Sequence, residues 1–198
     1  MFNALLSGRS RLYYCICLVI ICPSFLSCAG TQTPEELSYS EQAEALFLEA
    51  EEALEEDNYL VSSNLYMEVQ DQYQLSSYAI LSELRIGDVL FEQADYSQSA
   101  RAYSQFLQLH PSHSAVPYAR FRIGMSYFEE MPSDMFLLPP PEERELTSTR
   151  EASSVLSSFI HDYQDSEDPQ IADYLVESQR MYQIAVDRLA GHEIYLSE

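Results

Sequence analysis

The chain has 198 residues, 46% of them hydrophobic, and sets 32 acidic side chains against ten basic ones for a formal charge of −22. All ten bases are arginines, with no lysine and no basic cluster, so phosphate backbones are repelled and nucleic-acid binding is excluded. Beyond residue 30 the only glycines are Gly87, Gly124 and Gly191, and threonine occurs four times in all, too little of either for sheets joined by tight turns.

The chain opens with Arg9 and Arg11 ahead of an apolar run from Leu12 to Leu26, shorter than the roughly 20 residues a membrane-spanning helix needs. Such a segment is expected to be a signal peptide over residues 1–27. It ends in Phe25-Leu26-Ser27-Cys28-Ala29-Gly30, which resembles a bacterial lipobox, a small residue followed by the cysteine that receives diacylglycerol. The resemblance makes Cys28 the acylated mature N-terminus, with residues 28–38 as acylated start and linker and the membrane reached through the lipid anchor. Cys15, Cys17, Cys22 and Cys28 are all the cysteines, so cleavage would leave one. A disulfide framework and a cysteine-ligated zinc site are then both excluded. All 32 acids lie beyond the signal segment.

From residue 39 onward, prolines punctuate amphipathic stretches that predict helices near 39–56, 59–73, 77–93, 96–109, 115–130, 147–163 and 169–197. Asp168 before Pro169 forms an N-cap and first-turn pair for the last of them.

The helices come in pairs, because the sequence repeats. Ala50, Gly87 and Gly124 are spaced by 37, each mid-way along the first helix (helix A) of a pair, where a small residue admits close approach of the second (helix B). Asn58-Tyr59 and Asp95-Tyr96 share that spacing at the turns, and Tyr66 and Val69 correspond to Tyr103 and Phe106, then to Leu156 and Phe159 after an added 16 residues. The pattern resembles the tetratricopeptide repeat. It implies an all-α, right-handed superhelix of about three and a half helical hairpins over 39–198: repeats at 39–76, 77–114 and 115–166, the last carrying an inserted loop at 131–147, and a half repeat at 169–198.

Three segments carry a more specific likeness. Asp95-Tyr96-Ser97-Gln98-Ser99-Ala100 through Phe106-Leu107-Gln108-Leu109-His110-Pro111-Ser112-His113, then Met131-Pro132-Ser133-Asp134-Met135-Phe136-Leu137-Leu138-Pro139-Pro140, and Arg188-Leu189-Ala190 with Glu193, are together similar to the BamD family of outer-membrane β-barrel assembly lipoproteins. The likeness extends over roughly residues 26–198. Members usually have five repeats and this chain ends in the fourth, which leaves open a C-terminus on another chain, a fragment, or a paralogue with fewer partners. The resemblance implies a non-enzymatic scaffold on the periplasmic face of the outer membrane. Its implied partners are a BamA-like barrel insertase, other Bam lipoproteins and the C-terminal segments of unfolded outer-membrane proteins. The competing reading is another envelope tetratricopeptide adaptor lipoprotein, of pilotin or cell-wall-coordination type.

Counting from the small residue assigns groove positions on each helix A: Glu44, Phe47, Glu51 and Leu54; Leu81, Leu84, Asp88 and Phe91; Tyr118, Phe121, Met125 and Phe128. Two columns are apolar throughout, Phe47-Leu84-Phe121 and Leu54-Phe91-Phe128, and are expected either to grip a peptide or to pack as core. Glu51 and Asp88 are expected to attract basic groups or to accept backbone hydrogen bonds from a guest. In the insert, Met135, Phe136, Leu137 and Leu138 are consecutive apolar residues, expected to fold onto the groove or to touch a partner. His110 and His113 lack a third metal ligand, and no phosphate loop, nucleophile elbow or catalytic carboxylate pair can be quoted, so the expectation is no catalytic residue, no metal and no cofactor.

Overall fold

A computed structural model describes residues 37–132 and 146–197. Its described residues form seven helices with no strand among them: α1 (Tyr39–Glu55), α2 (Tyr59–Gln72), α3 (Ser77–Glu92), α4 (Tyr96–Leu109), α5 (Val116–Glu129), α6 (Thr147–Tyr163) and α7 (Pro169–Ser197). Each begins and ends within one residue of the expected position. Local chemistry sets several ends. At α1 the Ser38 hydroxyl accepts from the Glu41 N–H, and the Glu41 carboxylate accepts from the Ser38 N–H at 2.8 Å, a complete capping box. At α7 the Asp168 carboxylate accepts from the Gln170 N–H at 2.9 Å, with Pro169 supplying the first helical residue.

Every helix packs on the next along the chain, and α1 also touches α3, as α5 touches α7. This is the nearest-neighbour packing of a helical repeat, and the fold is tetratricopeptide-like. Three hydrophobic clusters lie along the stack, around Phe47, Tyr66 and Val89, around Leu84, Tyr103 and Phe106, and around Phe121, Leu156 and Phe159. Tyr66, Val69, Tyr103, Phe106, Leu156 and Phe159, equivalent by the 37-residue spacing and the insertion, are all essentially fully buried. The hydrogen bonds repeat as well. Ser62 donates its hydroxyl to the Ala50 carbonyl at 3.0 Å, and Ser99, 37 residues on, donates to the Gly87 carbonyl at 2.9 Å. Each serine ties helix B to the small residue of helix A, so close approach there also satisfies a buried hydroxyl.

The turns inside the first two hairpins are equally alike. Asp57 and Ala94 both have φ of 58°. The N–H of Asn58 reaches the Ala53 carbonyl at 2.8 Å, and that of Asp95 reaches the Leu90 carbonyl at 2.9 Å, as in a Schellman motif. Aspartate tolerates this left-handed conformation better than alanine. Ala94→Gly is therefore expected to raise stability by about 0.5–1 kcal/mol, the strain relieved exceeding the added chain entropy. Urea denaturation checks it, and unchanged or lowered stability would show that the turn is not strained.

In the third hairpin the insertion replaces that turn. Met131 and Leu146, at its two ends, are both buried, which anchors the insert to the repeat at each end. Arg188 of α7 donates to the Pro132 carbonyl.

Candidate functional site

The helix A face is built on a charged ladder that follows the repeat. Arg85 and Arg122 are 37 residues apart, and each reaches back to a carboxylate 34 residues earlier, on the preceding helix A. Arg85 of α3 pairs with Glu51 of α1 at 2.7 Å and with Asp88, one turn along its own helix, at 3.0 Å. Arg122 of α5 lies 3.4 Å from Asp88 and 3.8 Å from Glu92, so the charges run Glu51, Arg85, Asp88, Arg122, Glu92 across three helices.

Tyrosines complete it. Tyr66 donates to Glu51 and Tyr103 to Asp88, again equivalent positions. Tyr118 also donates to Asp88, at 2.5 Å, and Arg122 donates to the Tyr103 hydroxyl at 3.0 Å. Burial first, and the Asp88 charge second, push the Tyr103 and Tyr118 hydroxyls well above the ordinary phenol value of 10, so both remain donors at neutral pH. Because these folded values are raised, the stability they contribute is fully present below pH 10 and is lost as pH climbs through the folded values.

This geometry corrects the expected role of Asp88. It is only 4% exposed, and its oxygens are taken by two tyrosines and two arginines, so it serves the fold and offers nothing to a guest. Glu51 is likewise committed to Tyr66 and Arg85. Arg85 and Arg122 escaped the sequence reading, although the 37-residue spacing between them was the available signal. In the third repeat the ladder stops, because Met125 and Leu156 stand where Asp88 and Tyr103 stand in the second.

The two apolar columns differ in their surroundings. Phe47, Leu84 and Phe121 are buried at 8%, 6% and 8% exposure. Phe47 packs against the rings of Tyr66 and Tyr78, and Phe121 stacks at 4.7 Å, nearly parallel, on Tyr174 of α7. They are core because the next helix A closes over them. The other column is half-buried. Phe91 lies edge-on to Tyr96 with the Arg122 guanidinium 4.0 Å above its ring, and Phe128 has the Arg180 guanidinium at 5.6 Å. Leu54 packs with the first cluster and Met125 with the third. Cys28, Met135, Phe136, Leu137 and Leu138 lie outside the described residues.

On this side of the array the helices leave a cavity of about 550 Å³. The edges of Phe47 and Leu84, with Leu81, line it from α1 and α3, and Arg85, Pro117 and Tyr118 add a mixed wall. The α4–α5 turn contributes His113, Ser114 and Ala115, and the start of α7 closes the other side with Asp168, Gln170, Ile171 and Tyr174. Of the expected groove residues it brings together Phe47, Leu81, Leu84 and Tyr118, and leaves Leu54, Phe91, Met125 and Phe128 outside. Ile171 and Tyr174 were missed, since α7 reads as a following helix until folding lays it across α5. The volume and the apolar walls suit one or two bulky side chains of an extended chain. No three metal-ligating side chains converge among the described residues.

A family model described as outer membrane lipoprotein, YfiO, matches residues 39–198, the whole of this helical array. The chain belongs to the YfiO family of outer-membrane lipoproteins. It is 23% identical over 180 residues to the outer membrane protein assembly factor BamD of Caulobacter vibrioides, a match covering 90% of this chain and 54% of that protein. It is 23% identical over 173 residues to the BamD of Neisseria gonorrhoeae, covering 85% and 62%, and 24% identical over 153 residues to that of a Neisseria meningitidis serogroup A strain, covering 76% and 55%. This YfiO-family chain thus spans little more than half the length of the curated relatives it matches. Among its described residues no helix is long and apolar enough to cross a membrane.

Proposed function

We propose that this chain is a non-catalytic scaffold of the outer-membrane β-barrel assembly machinery, held on the periplasmic face of the outer membrane by acylated Cys28. Its helix A face receives C-terminal segments of unfolded barrel proteins, and its partners are a BamA-like insertase and other Bam lipoproteins. The observation that carries this reading is the family match across residues 39–198, with relatives that are themselves named outer-membrane assembly factors. The cavity supports it, since aromatic terminal residues of a barrel strand match its size and its apolar walls. Purification from detergent-solubilised membranes tests the proposal: a BamA-like barrel protein is expected to co-purify. Recovery of a pilus or cell-wall partner in its place would overturn it.

The peptide site has its own test. Leu81 is half-buried and lines the cavity, so Leu81→Glu puts a charge on an apolar wall. A peptide ending in an aromatic barrel-strand signal is expected to bind this variant at least about tenfold more weakly in a fluorescence titration, a loss of about 1.4 kcal/mol. Circular dichroism should show unchanged helix content. Equal affinity would move the peptide site elsewhere.

A further inference from the structure

The second helices of the three hairpins differ on their solvent face. Leu60, Val61 and Met67 of α2 are 73%, 41% and 46% exposed. At the equivalent positions α4 carries Ser97, Gln98 and Ser104, and α6 carries Arg150, Glu151 and Ser157. One repeat has therefore replaced polar side chains by apolar ones where its own fold needs neither. Leu60, Val61 and Met67 share one helical face with the polar Asn64 and Glu68, and Leu75, just past the helix end, is 95% exposed. The charge around this face has one sign. Glu56, Asp57, Glu68 and Asp71 are all exposed there, and no arginine or lysine occurs between Arg11 and Arg85.

We propose that this face of α2 docks a cationic amphipathic helix of a partner protein, with apolar residues along one side flanked by arginine or lysine. Leu60 and Met67 stand seven residues, two turns, apart with Val61 beside the first, so the apolar side chains lie along a line that one face of a guest helix can follow. The acidic rim selects a basic partner, and it disfavours both a second copy of this chain, which would bring like charges together, and an anionic lipid surface. The 14 residues of α2 offer about 21 Å of length, four turns of a guest helix.

The test uses the full chain and a fluorescent synthetic peptide of about 18 residues, long enough to form a helix, with leucines on one face and arginines on its flanks. The triple variant Leu60→Ser, Val61→Gln, Met67→Ser installs the side chains of the second repeat and changes no charge. Its melting temperature should match that of the unaltered chain, and its affinity for the peptide should fall at least about tenfold. Met67→Arg alone should also abolish binding, which covers the case of a triple variant that folds poorly. A peptide with glutamates in place of arginines should not bind. Equal affinity of the triple variant and the unaltered chain would overturn the proposal, because the attraction would then be charge without a site. So would phosphatidylethanolamine vesicles that retain the unaltered chain and release the triple variant while peptide binding is unchanged, because the occupant would then be lipid.

Discussion

Replacing Asp88 by alanine is expected to destabilise the folded domain by about 3–5 kcal/mol, the range for breaking a buried ion pair by removing one partner. The carboxylate is 4% exposed and is shared by Tyr103, Tyr118, Arg85 and Arg122. Its loss leaves two tyrosine hydroxyls short of an acceptor, and leaves the Arg122 guanidinium, whose side chain is 12% exposed, with a distant Glu92 as its remaining charged partner. In a domain of this size each kcal/mol moves the melting temperature by about 2–4 °C, so a fall of roughly 10 °C is expected by calorimetry. The third repeat shows what an uncharged version looks like, with Met125 and Leu156 in the places of Asp88 and Tyr103. Copying it, as Asp88→Met with Tyr103→Leu, is expected to recover stability only when Arg122 is also made apolar, because a buried guanidinium without its carboxylate stays costly. Recovery with Arg122 intact would mean that Glu92 or solvent satisfies it, and that the ladder is not the stabilising unit.

Gly87→Ala is expected to cost about 1–3 kcal/mol although alanine is the better helix former by about 1 kcal/mol. A Cβ built at Gly87 stands 2.7 Å from Cε1 of Tyr103 and 2.9 Å from two further ring atoms. That ring is fully buried and its hydroxyl is held by Asp88, so it cannot swing aside without breaking the ladder. Gly124 is the control. Its added Cβ would stand 2.6 Å from Cδ2 and 3.0 Å from Cγ of Leu156, an aliphatic side chain that no hydrogen bond holds. Gly87→Ala is therefore expected to lower the melting temperature more than Gly124→Ala, and the reverse order would show that the tyrosine is not pinned. The first repeat already has Ala50 opposite Tyr66, so the tolerance of the site is set by where the ring sits rather than by the repeat pattern as such.

Much of the architecture was legible because it rests on local and periodic signals. Prolines, turn pairs such as Asp95-Tyr96, and apolar residues at helical spacing act within a few residues of one another, so the helix ends follow from the order of residues. The 37-residue period then pairs the helices, since Ala50, Gly87 and Gly124 mark where each helix B must approach. The site was less legible for a definite reason. A carboxylate on helix A looks available until the partners that neutralise it are brought to it from residues as far away as Arg122, 34 positions on from Asp88. Whether Phe47, Leu84 and Phe121 grip a guest or pack as core is decided only when the next helix A covers them, leaving the edges of Phe47 and Leu84 at a cavity. The cavity wall formed by Ile171 and Tyr174 depends on α7 crossing α5, an angle that no spacing encodes.

The opening imbalance of charge divides in the same way. Sequence by itself determined that the chain is acidic, free of lysine, helical and repetitive, because those follow from composition and from contacts within one repeat. Tertiary structure decided which charges are spent and which remain. Glu51 and Asp88 are drawn into an internal ladder with Arg85 and Arg122, since stacking one repeat on the next places an arginine 34 residues from each carboxylate within ion-pairing distance. Glu68 and Asp71 stay in solvent beside Leu60 and Met67, because α2 turns that face away from both of its neighbours.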